Sequence, residues 1–523
     1  MSLRPGKLPI RHFATVLLAS GALAACGSPS ANPFQADDPA QEEARGLRLE
    51  PKQVDPAALK AKVTDERARK FYDARGWQAA WDDATAGGLL AALGDSERHA
   101  LSKATFLELS PGAGAVDKEA ALTKAALDYA SALARGSVDP QKLFAVYEVP
   151  RPNPNLAGGL ANAIANQNVA EWFASLPPRT AEYKALSDAY VHYLQLAARD
   201  GPGGISGGKP IEPGNRDRRV PQLAEALSAN GYLQAQPTEN PTLYTKAMAQ
   251  AVTRLQADYG IEPDGIVGPD TLEVLNTSAQ DKARQLAVNL ERRRWLEREP
   301  PATRIDVNTA ATLLNYWRGG RLRDQRRVVA GQPDWETPEM QSPVFQLVAN
   351  PSWTVPKSIE EEEIATKGAG YMARNHMVWK DDHVVQLPGP DNALGQVKLD
   401  MRNTHAIYLH DTPAKALFAE NERHRSHGCV RVENAVDFAR MLAGDDGILA
   451  GFDKALPTGE ETFVKMKADV PVRLLYQTAF VDEKGQLHFR ADAYGWDERV
   501  AAALGMKARA GHRFRSRVRD VGP

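Results

Sequence analysis

The sequence predicts a multidomain α+β protein in which helical modules precede a mainly antiparallel β domain. Three observations carry that reading. Apolar residues recur at a helical period through residues 55–200 and again through 216–278. A breaker-rich run, Asp200-Gly201-Pro202-Gly203-Gly204-Ile205-Ser206-Gly207-Gly208-Lys209-Pro210, separates the two stretches. From 303 to 480 short β-prone runs alternate with turns. At 523 residues the chain is too long for one core, and about three domains are expected.

Hydrophobic residues make up 43% and charged residues 25%, as in ordinary globular protein. The formal net charge of -2 leaves no global basic field, so no nucleic-acid partner is expected. The basic residues near the end (Lys507, Arg509, Arg513, Arg515, Arg517 and Arg519) read as a solvated tail within a C-terminal extension, 481–523.

At the start, Arg4, Lys7, Arg11 and His12 precede an uncharged, mostly apolar run at 13–25. Its 13 residues are too few to span a bilayer, which takes about 20, and they suit the core of a secretory signal. Leu23-Ala24-Ala25-Cys26 resembles the lipobox of bacterial lipoproteins, in which the cysteine is lipidated; a plain signal peptide is the alternative. Residues 1–26 are thus expected to be a signal peptide and lipobox, and 27–54 a polar, flexible tether. The expected location is periplasmic and lipid-anchored. Gly27, in place of Asp, favours an outer-membrane lipid anchor.

Residues 55–200 read as one helical domain. Leu122, Ala126, Tyr129, Ala130 and Leu133 share a helical face, and Pro177-Pro178 precede a helix carrying Tyr183, Leu186 and Tyr190. Residues 216–278 form a smaller helical module. Met248, Val252, Leu255 and Tyr259 lie on one face, Gly260 ends that helix, Asp264-Gly265 marks a turn, and Pro269 starts the next helix. A connector with Leu286, Leu290 and Trp295 leads to the β domain at 303–480. Its strand signals are 304–307, 327–330, 345–348 and 405–409, interrupted at 359–387 by a charged insertion expected to be helical.

The chemistry centres on Cys429, in Ser426-His427-Gly428-Cys429-Val430-Arg431. The chain has two cysteines, so lipidation of Cys26 leaves Cys429 without a partner, and an unpaired thiol in an exported protein is to be suspected of reactivity. His410 ends a strand and can act as base. Residues 430–444 have helical periodicity, which would set Cys429 just ahead of a helix N-terminus, where the dipole favours thiolate. Gly428 permits close approach of substrate, and the N–H groups of His427, Gly428 and Cys429 could form an oxyanion hole. Two other readings stand beside this Cys–His acyl-transfer site: a zinc site from His410, His427 and Cys429, and a buried inert cysteine.

With His410 lying 19 positions before Cys429, this motif resembles that of the YkuD-type L,D-transpeptidases. Further matches are Asn350-Pro351 with Trp353 and Pro356, Asn392-Ala393-Leu394-Gly395, and Ile407-Tyr408-Leu409-His410-Asp411-Thr412. The run from Leu255-Gln256 to Asp264-Gly265-Ile266-Val267-Gly268-Pro269 resembles a three-helix peptidoglycan-binding module; a spacer that no longer binds glycan is the alternative. The whole chain is similar to large enzymes of the YcbB type, with a scaffold domain, a binding module and a catalytic domain. The insertion at 359–387 matches their capping subdomain, although its run Glu360-Glu361-Glu362-Glu363 has no counterpart in the pattern.

The resemblance implies that Cys429 is the nucleophile and His410 the base, oriented by the backbone carbonyl of Asp411. His427 and Gly428 would serve the oxyanion side, and Ser426, Arg431, Tyr408, Asn350 and Trp353 would line the substrate site. It implies no metal and no other cofactor. The reaction would release D-Ala from a tetrapeptide stem and pass the acyl group to a neighbouring stem, giving a 3-3 crosslink, and carbapenems would acylate the same thiol. Peptidoglycan stem peptides are the expected partners, and cell-wall synthesis proteins are candidates. Water as acceptor would make an L,D-carboxypeptidase and a protein lysine a lipoprotein-attaching enzyme. A non-catalytic peptidoglycan-binding lipoprotein is the remaining alternative.

Overall fold

The computed structural model describes residue 49 and residues 54–102, 106–110, 112–198, 204–234, 240–364 and 366–507. The expected signal segment, Cys26, most of the tether and the basic residues beyond 507 lie outside these. Among the described residues no helix is long and apolar enough to cross a membrane.

The N-terminal domain packs its helices around the 21-residue helix Ala115–Arg135, whose Leu122, Ala126, Tyr129, Ala130 and Leu133 are all buried. Buried Glu119 on this helix accepts from the Tyr72 hydroxyl at 2.9 Å and the Ala80 N–H at 2.7 Å, which satisfies a carboxylate that burial would otherwise penalise. Helix Ala181–Ala197 starts after Pro177-Pro178, with the Thr180 side chain accepting from the Tyr183 N–H as its N-cap.

The small module has three helices, Val220–Ala229, Lys246–Tyr259 and Pro269–Leu275. Gly260 closes the second at φ 74, and Pro269 opens the third. Its turn is organised by buried Gln256. The side-chain amide donates to Asp264 at 2.9 Å, the Ile266 carbonyl at 3.0 Å and Thr271 at 3.0 Å, and its oxygen accepts from the Gly265 N–H at 2.8 Å.

Helix Ala279–Trp295 is the spine between modules. Its Glu291 and Arg294 form a fully buried ion pair at 2.6 Å. Glu291 also accepts from the Val138 N–H at 2.8 Å and from Trp295 Nε1 at 3.0 Å, and Arg294 donates to the His99 carbonyl at 2.7 Å. Buried charges persist only when paired in this way, so the spine is tied to the N-terminal domain.

In chain order the strands are β1 (Tyr147–Glu148), β2 (Arg304–Asn308), β3 (Leu313–Arg318), β4 (Arg321–Gly331), β5 (Glu339–Ala349), β6 (Trp353–Thr354), β7 (Met377–Lys380) and β8 (His383–Gln386). There follow β9 (Val397–Met401), β10 (Leu409–His410), β11 (His424–Ser426), β12 (Val430–Val432), β13 (Thr462–Leu475), β14 (Ala479–Val481) and β15 (Leu487–Phe489). Pairing runs β5-β13-β2-β3-β4-β12-β10-β9, and β9 pairs back to β5, which closes a ring of strands. Only β13–β2 and β10–β12 in this ring are parallel. Inside lie Ile305, Val307, Leu314, Leu347, Leu399 and Val430, plugged by Phe438 and Leu442 of helix Ala435–Asp446. Closure leaves no open sheet edges in the ring. β1, from the N-terminal domain, adds to the start of β5 in parallel.

One expectation is corrected. The insertion at 359–387 is only partly helical: β7 and β8 form a hairpin that joins β6 in a separate antiparallel sheet. The described part of the C-terminal extension, 481–507, packs against the body of the protein. Tyr494 and Trp496 pack on Tyr476 with ring centroids 4.9 Å apart, and helix Trp496–Ala503 contributes to a buried cluster with Val288 and Trp295.

Candidate active site

Two short parallel strands build the site. In β10 and β12, Leu409 lies opposite Val430 and His410 opposite Arg431, while β9 sets Lys398 opposite His410. Leu399, Leu409 and Val430 face the barrel core. Side chains alternate along a strand, so Lys398, His410 and Arg431 line the other face. Tyr408 and Cys429 share it, each two residues before a member of that row, and the Val430 N–H donating to the Tyr408 carbonyl at 3.1 Å holds them side by side.

His410 is fully buried. Its Nδ1–H donates to the Asp411 carbonyl at 2.5 Å. Because a carbonyl only accepts, the proton sits on Nδ1 and Nε2 presents its lone pair. Among the described residues Nε2 has no hydrogen-bond partner. Burial, then the charges of Arg431, Lys398 and Lys415, hold the imidazole well below its usual pKa, so it rests neutral. The Asp411 carboxylate accepts from the Gln396 N–H at 3.0 Å and pairs with Lys415. Gly395, at φ +61, leaves room for it: a Cβ there would collide with the Asp411 side chain. The Asn392–Gly395 motif therefore supports the histidine loop.

Cys429 is 6% exposed, and its thiol donates to the Ala406 carbonyl at 3.5 Å. Burial pushes the thiol up to about 11, while hydrogen bonds from Tyr408 and the charges of Lys398 and Arg431 pull the other way. The Lys398 ammonium lies 4.3 Å from the Tyr408 ring centre, and the Tyr408 and His410 rings are 5.6 Å apart. The expected helix dipole is absent. Residues 430–432 are β12, and the helix begins only at Ala435, so side-chain cations and not a helix terminus favour the thiolate.

Gly428 holds φ +108, and its N–H donates to Ser426 Oγ at 3.2 Å. That amide is thus committed, and the expected three-amide oxyanion hole is not formed in this conformation. Ser426, expected to touch substrate, is fully buried and donates to the Cys429 carbonyl at 2.6 Å, stapling the turn. Asn350, also expected at the substrate site, takes φ +50 and donates to the Leu456 carbonyl at 3.0 Å. Trp353 is 2% exposed in the core of the insertion, with Val355, Ile359 and Met377. Tyr408 packs against that same cluster, so the insertion rests directly on the site strand. Glu360 of the acidic run is internal glue, pairing with Lys357 at 2.9 Å and accepting from the Val384 N–H at 2.5 Å.

Several contributors escaped the sequence reading. Thr337 Oγ1 accepts from the Gly331 N–H at 2.9 Å and donates to the Gly428 carbonyl at 2.8 Å. Tyr494 donates to the Gly331 carbonyl at 2.7 Å. Trp335 stands edge-on to the His427 ring at 4.9 Å. Lys398 had a signal in the alternation Val397-Lys398-Leu399-Asp400-Met401; the others had none. Among the described residues no group of three or more His, Cys, Asp or Glu side chains is arranged to hold a metal ion.

Residues 302–466 match the family described as L,D-transpeptidase catalytic domain (YkuD), residues 66–189 the Scaffold domain, and residues 216–275 the "Putative peptidoglycan binding domain". A Haemophilus influenzae protein named "Putative L,D-transpeptidase" is 30% identical over 223 residues, covering 38% of this chain and 45% of that protein. The chain thus spans less than half the length of that curated relative. Solved L,D-transpeptidases from Stackebrandtia nassauensis (13% identity, 53% of this chain and 97% of that one, TM-score 0.23) and Xylanimonas cellulosilytica (15%, 51% and 98%, 0.17) are more distant.

Proposed function

We propose, for a chain that carries a YkuD L,D-transpeptidase catalytic domain behind a scaffold domain and a peptidoglycan-binding domain, that it forms 3-3 peptidoglycan crosslinks through a thioester on Cys429. One observation supports this most. A neutral His410, its Nε2 lone pair unengaged among the described residues, shares a strand face with the Cys429 thiol and two fixed cations.

The chemistry follows from that face. His410 Nε2 takes the thiol proton as Sγ attacks the carbonyl of the amide between the third stem residue and D-Ala. Lys398 and Arg431 favour the negative charge on sulfur. Imidazolium then protonates the leaving nitrogen, D-Ala departs, and the third residue is held as a thioester. An amine of a second stem attacks that thioester and passes a proton to Nε2. Collapse forms the new amide, and the proton returns to the thiol. The Asp411 carbonyl keeps the ring in one tautomer and stabilises the transient imidazolium.

The experiment is incubation of the purified chain with tetrapeptide muropeptides, read by mass spectrometry. Crosslinked dimers are expected, and none with Cys429→Ala. Loss of D-Ala without dimers would make it a carboxypeptidase, and no turnover at all would overturn the reading. A carbapenem adduct is expected on wild type and not on Cys429→Ala.

Export and lipidation at Cys26, with anchoring at the periplasmic side of the outer membrane, belong to the same proposal. Fatty-acid labelling should mark wild type and spare Cys26→Ala. Equal labelling would refute the anchor.

A further inference from the structure

The match to the catalytic-domain family ends at residue 466, yet the chain that follows returns to the nucleophile. After β13 and the β14–β15 hairpin, Gly495 at φ 68 precedes helix Trp496–Ala503. The Asp492 carboxylate accepts from the N–H groups of Trp496 and Asp497, both at 2.9 Å, and from the Tyr476 hydroxyl at 2.8 Å. Tyr476 in turn accepts from the Tyr494 N–H at 3.1 Å, and the two rings stack 4.9 Å apart. Asp497 pairs with Arg292 of the spine helix at 2.5 Å. Tyr494 is thus fixed from behind. It is buried, with its ring edge-on to His424 at 5.3 Å.

The Tyr494 hydroxyl sits across the neck of the loop that joins β4 to β5. It donates to the Gly331 carbonyl at 2.7 Å and accepts from the Thr337 N–H at 3.4 Å, so one oxygen holds both ends of residues 331–337. That loop touches, one after another, the three residues that lead into Cys429. The Gln332 N–H donates to the Ser426 carbonyl at 2.9 Å, Trp335 stands edge-on to the His427 ring at 4.9 Å, and Thr337 Oγ1 donates to the Gly428 carbonyl at 2.8 Å.

We propose that Tyr494 is a positioning residue for acyl transfer: by clasping both ends of the 331–337 loop it sets the turn that aims the Cys429 thiol. The role rests on the thioester reading of Cys429; the clasp itself does not. Removing the hydroxyl leaves the buried Gly331 carbonyl without its side-chain donor, and an unmet buried acceptor is costly enough to move a loop. Thr337 moves with the neck, and Gly428 with Thr337. A shift of about 1 Å at a reacting atom can cost about a hundredfold in rate, so a partial displacement is enough. Tyr494 does not touch substrate, so the effect falls on kcat and not on KM.

Tetrapeptide turnover and hydrogen exchange of the full chain test the proposal together. Tyr494→Phe keeps the ring. It is expected to lower kcat for D-Ala release about tenfold, with KM within about twofold, and to speed exchange in residues 426–429. Combined with Thr337→Val it should do no more than the worse single variant, because both break one chain of contacts. Val500→Ala, at a fully buried position of helix Trp496–Ala503, is expected to lower Tm at least as far while kcat and exchange at the turn stay as in wild type. A kcat for Tyr494→Phe within about twofold of wild type, losses that multiply in the double variant, or an equal fall in kcat for Val500→Ala would each overturn it. Should Tyr494→Phe fold poorly, Tyr476→Phe decides, since it loosens the anchor of Tyr494 and leaves the clasp in place. Unchanged kcat and exchange there would overturn the proposal. Exchange needs no turnover, so a wild type that releases no D-Ala refutes the catalytic reading while the clasp is still judged from the protection of the turn.

Discussion

The hydroxyl of Thr337 donates to the carbonyl of Gly428 at 2.8 Å while accepting from the Gly331 N–H at 2.9 Å, so one side chain ties the turn before Cys429 to the end of β4. Thr337→Val keeps the shape and removes both bonds. A buried group left unsatisfied costs about 1–3 kcal/mol. The expected outcome is a fall in kcat/KM for D-Ala release of about tenfold or more, with Thr337→Ser near wild type. Equal activity of Val and wild type would show that the turn holds without this tie.

The pH profile should lack the usual histidine limb. Burial and three nearby cations hold His410 well below its ordinary pKa, and burial lifts the Cys429 thiol to about 11. Both groups rest neutral in the neutral range, so in the proposed mechanism proton transfer accompanies attack. The rate constant kcat/KM is expected to stay level from about pH 6 to 8, across the ordinary imidazole pKa of about 6.5. An acid limb centred near that value would mean that His410 ionises freely.

Stability should fall through Glu339 as pH rises from about 4.5 to about 7. Burial raises its carboxyl to about 7, only partly offset by Arg292. A carboxyl raised in the folded state favours folding below its unfolded pKa of 4.5, and that contribution is lost as pH rises through about 7. Glu339→Gln is therefore expected to raise Tm relative to wild type at pH near 8.5 and to do little near pH 5. A thermal melt at each pH decides it, and a variant less stable at both would contradict the assignment.

In the small module, Gln256→Leu removes four hydrogen bonds from a buried turn. Local destabilisation of a few kcal/mol is expected. It should appear as faster proteolysis near residues 260–268, with turnover on soluble muropeptides retained. Unaltered protease resistance would show that the turn stands on its glycines alone.

These outcomes track what local sequence could reveal. Cys429, His410 and Asp411 were legible because the motif is short and His410 turns to the very next carbonyl. Gly260 and Pro269 were legible because backbone geometry dictates them. The turn at Asp381 and Asp382, both with positive φ, joins β7 to β8. It was a hairpin signal that the charged flanks concealed. Val430-Arg431-Val432 alternates over too few residues to be separated from the helix that follows, and Asn434, at φ 49, is what breaks the two apart. Thr337, Lys398 and Tyr494 reach the site only because the barrel closes and the chain end folds back over β4. No window around Cys429 contains them.

The neutral, buried state of the Cys429 thiol has a consequence outside the reaction. Thiolates, not thiols, attack peroxides and disulfides. A sulfur held as the thiol by burial is shielded from conversion to sulfenic acid and mixed disulfides. The same burial that makes this cysteine a reluctant acid should therefore slow its oxidation.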